Sequence, residues 1–113
     1  DLQRNIERVL AAGLKQQLPN AQVVNVPHML SDIDFRLLVD IRQFEAINQD
    51  QLVLDSQWTL LASGQSQPLK IQDLRLSYPL ADGSNIEQTV NAMSQALSDL
   101  AKQIAASLTQ ARR

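Results

Sequence analysis

Cysteine is absent from this 113-residue chain, which excludes disulfides, thiolate catalysis and thiolate metal sites. Aromatic residues make up only 4% of it, so a core must be built from Leu, Ile, Val and Ala. Its three glycines are scattered and form neither a dinucleotide-binding nor a P-loop pattern. Its single histidine, His28, follows a proline, and no serine stands in a G-x-S-x-G context, so a hydrolase triad has no basis. Charge of either sign is modest. The net value of −2, with both signs mixed along the chain, provides neither a basic nucleic-acid surface nor an acidic tail. No apolar run approaches the ~20 residues of a membrane-spanning helix.

What is present is periodicity. Leu2, Ile6, Val9, Leu10, Gly13, Leu14 and Leu18 recur at threes and fours, which predicts an amphipathic helix stopped by Pro19-Asn20. Gly13 lies on the apolar stripe, where it costs about 1 kcal/mol against Ala; close packing on a strand is the expected reason. Gln22 to Val26 reads as a short strand ended by Pro27. Three further strands follow: Asp34 to Phe44, Leu52 to Ala62 and Leu69 to Tyr78. In the last, Leu69 and Ile71 have one parity and Leu74, Leu76 and Tyr78 the other, so a bulge is expected near Gln72-Asp73. Ser84-Asn85-Ile86-Glu87 has the form of a capping box opening a long helix over about 85–109. Its apolar seam runs through Ile86, Val90, Met93, Leu97, Leu100, Ile104 and Leu108. The element order predicts one α+β domain over 1–113: two long helices and a mainly antiparallel mixed sheet.

The hairpin 35–61 carries the most information. Phe35, Leu37, Val39 and Ile41 alternate against Leu52, Leu54, Trp58 and Leu60. Matching these faces leaves two registers, since a one-residue slip inverts every side chain. One sets Asp40 against Asp55, which like charges disfavour. The other sets Val39 opposite Trp58 and Arg42 opposite Asp55, and is the expected one. Trp58 then belongs to the core. Leu38, Val53 and Leu61 fall on the reverse face, and Phe44 joins them by parity. These four residues are the candidate partner-contact face, although scattered exposed aliphatics are also common.

Other constellations are weaker. His28 with Asp32 and Asp34 offers too few ligands for a metal site. Asp40 and Asp55 share a face, but an ion pair with Arg42 explains Asp55 better than a catalytic dyad does. No catalytic, cofactor or metal residue is assigned.

Several strings resemble the PqiC-like family of ABC-type transport auxiliary lipoproteins, the former DUF330 group. They are the opening helix ending at Leu18-Pro19, Val23-Val24, Val39-Asp40-Ile41-Arg42-Gln43-Phe44, Leu52 to Leu61 around Trp58, and Leu97-Ser98-Asp99-Leu100-Ala101 with Ile104-Ala105. The resemblance covers the whole chain and corresponds to the C-terminal two thirds of a family member. It implies an α/β sandwich similar to the TolB N-terminal domain and to anticodon-binding domains. It implies a signal peptide, a lipid-bearing cysteine and further strands ahead of Asp1, where the chain begins already in a helical pattern. It implies a non-enzymatic periplasmic domain tethered to the outer membrane of a Gram-negative bacterium. The implied partner is an MCE-domain protein of a lipid-transport system; self-association is a further expectation, and neither nucleic acid nor cofactor is involved. Two other readings stay open: an envelope docking module of Tol-like or lipopolysaccharide-assembly type, and a small enzyme with an Asp40/Asp55 dyad.

Overall fold

The computed structural model describes residues 2–19, 35–62 and 64–111. The strand expected over 22–26, together with His28, Asp32 and Asp34, lies outside the described residues. Helix α1 (Leu2–Gln17) is followed by strands β1 (Phe35–Ile47), β2 (Gln51–Ala62) and β3 (Lys70–Pro79), and then by helix α2 (Ile86–Ala111). The described strands form one antiparallel sheet of order β1-β2-β3, so the architecture is α+β as the element order indicates. The chain divides into two compact units, one of residues 35–96 and one joining 1–34 to 97–113.

In the sheet unit, period-2 alternation produces a buried and an open face. Leu52, Leu54, Ser56, Trp58 and Leu60 of the central strand are each 1% exposed or less. Burying a large apolar side chain stabilises by roughly 1.5–3 kcal/mol, so this strand dominates the unit's core. The buried Ser56 hydroxyl is satisfied by donating to the Leu74 carbonyl at 3.2 Å. Lys70 Nζ lies 5.7 Å from the centre of the Trp58 ring, within cation–π range.

Val39 pairs with Trp58, as the apolar alternation requires. The pairing of Arg42 with Asp55 does not form. The ladder slips between Ile41 and Gln43, leaving Arg42 as an extra residue and setting Gln43 against Asp55. The bulge expected in β3 is absent, and β2 and β3 pair without interruption from Gln51↔Pro79 to Leu60↔Lys70. Leu74, Leu76 and Tyr78 therefore join the Ser56, Leu54 and Leu52 side, while Ile71 lies with Thr59 on the reverse.

The β1–β2 turn has left-handed backbone at both Asn48 (φ 54°) and Gln49 (φ 59°), closed by Asp50 N–H to Ile47 O at 3.2 Å. These angles match the type I′ turns that suit twisted hairpins. The segment after β3 is tied to this turn: Leu80 N–H donates to Asp50 O and Gly83 N–H to Gln49 O, each at 2.8 Å. A Cβ on Gly83 would run into the Gln49 backbone, so only glycine permits this approach.

The cap of α2 falls one residue later than the sequence suggests. Asn85 Oδ1 accepts the Gln88 N–H at 3.2 Å, the N-cap geometry. The Gln88 side chain accepts from Asp82 N–H at 3.0 Å. Ser84 serves the preceding turn instead, donating its hydroxyl to Asp82 Oδ1 at 2.6 Å and its N–H to the same oxygen at 3.0 Å. Ile86 and Val90, expected on the buried seam, are 80% and 51% exposed.

In the helical unit, Leu10 and Leu14 of α1 and Leu97, Leu100, Ala101, Ile104 and Ala105 of α2 are buried. Gly13 does meet a close neighbour, but that neighbour is helical rather than a strand: a Cβ placed on it would lie 2.9 Å from the Ala101 Cβ.

Candidate docking face

The side of the sheet opposite Trp58 is built as cross-strand rows, because directly paired residues of neighbouring strands share a face. Arg36 pairs with Leu61 at one end. The next row is Leu38, Thr59 and Ile71, and the third is Asp40, Gln57 and Asp73. The fourth, beyond the bulge, is Gln43, Asp55 and Arg75. Leu69 shares the parity of Ile71 and is held by its N–H to Leu60 O at 2.7 Å. Leu38 and Leu69 are each 52% exposed and Ile71 is 57% exposed. Aliphatics thus cluster at one end of this face, bordered by a charged band.

In that band Arg42 lies 3.6 Å from Asp40 and 3.5 Å from Asp73, and Arg75 lies 3.8 Å from Asp55. Gln57 Nε2 adds a hydrogen bond to Asp73 Oδ1 at 3.1 Å. Such exposed pairs each contribute about 0–1 kcal/mol. Their main effect is to fix the orientation of the polar border.

The expected contact residues separate. Leu38 and Leu61 lie together on the open side. Val53 shares that side, between Glu45 and Ser77, but is only 1% exposed and unavailable for contact. Phe44 is a correction: the bulge at Arg42 reverses the parity of everything after it, so Phe44 pairs with Leu54 on the buried-face side. Leu69 and Ile71 take its place. Their signal was in the sequence as the parity break of the third strand, which reflects a strand with apolar residues on both sides.

The carboxylates of the dyad reading are not paired. Asp40 faces Gln57, whereas Asp55 faces Gln43 and Arg75. Among the described residues no three potential metal-ligating side chains cluster, and no helix is long and apolar enough to cross a membrane. The geometry offers an apolar surface with a polar rim, the form that suits protein contact.

Solved structures share this fold. An uncharacterized protein superposes with a TM-score of 0.81 at 23% identity, over 96% of this chain and 67% of its own. A Caulobacter crescentus CB15 protein described as a candidate lipoprotein gives 0.62 at 16%, over 93% and 81%. A Xanthomonas campestris protein of the DUF330 family gives 0.57 at 18%, over 65% and 44%. No curated protein matches the chain. The model of one family, described as the ABC-type transport auxiliary lipoprotein component, matches residues 1–105. With that match spanning nearly its whole length, the chain belongs to the ABC-type transport auxiliary lipoprotein family.

Proposed function

We propose that this chain is a non-enzymatic docking domain of an envelope lipid-transport system. In this reading it acts in the periplasm, tethered to the outer membrane of a Gram-negative bacterium, and its partner is the MCE-domain protein of an ABC-type complex. The family match carries the reading. The open sheet face supports it, since Leu38, Leu61, Leu69 and Ile71 gather apolar surface where no catalytic constellation is found among the described residues. Contact rather than chemistry is what such a face can perform.

The test is direct binding between the purified domain and the MCE-domain protein of the same host, read by biolayer interferometry. The reading expects saturable binding that Ile71→Asp weakens. It fails if no binding occurs, or if lipid flux between the membranes is unchanged in a strain lacking the protein.

A further inference from the structure

We infer that the solvent-facing side of α1 lies along a bilayer surface, with Arg4, Arg8 and Lys15 on the headgroups of anionic phospholipids. The inference concerns the helical unit and is independent of which protein meets the sheet face.

The first observation is alignment. Each residue advances about 100° around an α-helix. Arg4, Arg8 and Lys15 therefore fall within about 40° of one another, in a stripe about 16 Å long. All three are exposed. The buried Leu10 and Leu14, and Gly13 with its close neighbour Ala101, lie about 100–160° around the helix from the middle of the stripe. Glu7, the one described carboxylate of α1, also stands off it, by about 80°.

The second observation is that the stripe works against the helix that carries it. Arg4 occupies the first turn of α1, which contains no acidic residue. The helix dipole disfavours a cation there. Arg4 and Arg8 are also four residues apart, the spacing at which like charges on a helix repel. Arg4 and Lys15 form no ion pair among the described residues, and Arg8 donates to a neutral partner, Asn5 Oδ1, at 3.2 Å. Lys15 is accounted for by the C-terminal end of the dipole. The Arg4–Arg8 pair has no such account inside the described structure, and an anion outside the protein relieves it.

A membrane supplies that anion. The chain belongs to a lipoprotein family. A bilayer presents phosphates as a continuous plane, so a straight row of cations meets it in any register. Guanidinium groups suit this ligand through paired hydrogen bonds to phosphate. No large apolar side chain stands within the stripe, so the contact is with headgroups and not with acyl chains. Of the described elements, α1 carries the largest excess of positive charge. Each cation near an anionic surface strengthens attachment about fivefold, so three give about a hundredfold. The result is a reversible contact that orients a tethered domain.

Flotation of the purified chain with vesicles, across a lipid concentration series, tests this. One set of vesicles is phosphatidylcholine alone; the other adds phosphatidylglycerol in a two-to-one ratio. The wild type is expected to bind the anionic vesicles at low ionic strength, to be released as salt is raised, and to ignore the neutral ones. Arg4→Gln/Lys15→Gln is expected to weaken binding about twenty-five-fold. Arg36→Gln/Lys102→Gln removes the same charge from other elements and is expected to change binding by less than about twofold. All four positions are exposed, and an unchanged circular-dichroism melt shows that each variant is folded. Equal losses in the two double variants overturn the inference, since net charge then explains the binding. A wild type with no preference for the anionic vesicles also overturns it, and leaves an acidic protein surface as the counterpart of the stripe.

Discussion

Gly83 donates its backbone N–H to the carbonyl of Gln49 at 2.8 Å, fastening the segment before α2 to the tip of the β1–β2 hairpin. Both positions are constrained. Gly83 approaches too closely for any side chain, and Gln49 holds a left-handed φ of 59° without being glycine. Gly83→Ala is expected to lose this bond and the neighbouring one from Leu80 N–H. At about 1 kcal/mol each, plus the displacement of the backbone, the loss is about 2–3 kcal/mol. Gln49→Gly is expected to stabilise by about 0.5 kcal/mol, because relief of the left-handed penalty exceeds the added chain entropy. Urea denaturation of the two variants checks both signs.

The bulge yields a sharper test through deletion. Removing Arg42 leaves Ile41 against Ser56 and Gln43 against Asp55 with no slip, so every later side chain keeps its face. That variant is expected to fold with a cost of about 1 kcal/mol, from lost exposed ion pairs. Removing Asp40 instead shifts Ile41 to the open face and turns Arg42 toward the fully buried Ser56 position. An unpaired charge there is expected to leave the protein unfolded. Thermal melts of the two deletions separate these outcomes.

Gly13 and Ala101 make a second close approach, between the two helices. Gly13→Ala would gain about 1 kcal/mol of helix propensity, yet its methyl group would press on a methyl that has no rotamer to move to. Net destabilisation is expected. Ala101→Gly is expected to cost about 1 kcal/mol by itself and to remove the penalty when combined with Gly13→Ala. A double-mutant cycle in urea measures that coupling.

Asp82 supplies the pH-dependent feature. Hydrogen bonds from the Ser84 hydroxyl and then the Ser84 N–H hold its carboxyl below the usual carboxylate range. A depressed value means the carboxylate form is favoured by folding. Its contribution is present above the unfolded-state pKa and is lost as pH falls through the folded one. Ser84→Ala is expected to move the Asp82 carboxyl titration upward, followed by NMR. Asn85→Ala is expected to leave that titration in place and to cost about 1 kcal/mol through loss of the helix cap.

The sequence made much of this legible. Alternation in residues 35–41 and 52–60 was enough to set Val39 against Trp58, and the threes and fours of the C-terminal stripe located α2. Parity could not say where a slip occurs. An odd residue can be accommodated on either strand; here Arg42 is the extra one, and Asp55 pairs with Gln43 on β1 and with Arg75 on β3. Placing the bulge in β3 hid Ile71 and Leu69, and parity alone moved Phe44 to the wrong side. The cap slipped by one because Ser84 and Asn85 can both fill that role; only the turn at Asp82, which takes the Ser84 hydroxyl, decides between them.

The central claim is that the rows around Leu38 and Ile71 form a protein-contact surface. Site-specific photo-crosslinking in living cells tests it most directly, with the reactive side chain placed at residue 38 or 71 and, as a control, at the more exposed residue 86. The account expects protein crosslinks from positions 38 and 71, mapping to a second copy of the chain or to the MCE-domain protein, and few from 86. Silent positions 38 and 71 beside a reactive position 86 would contradict it.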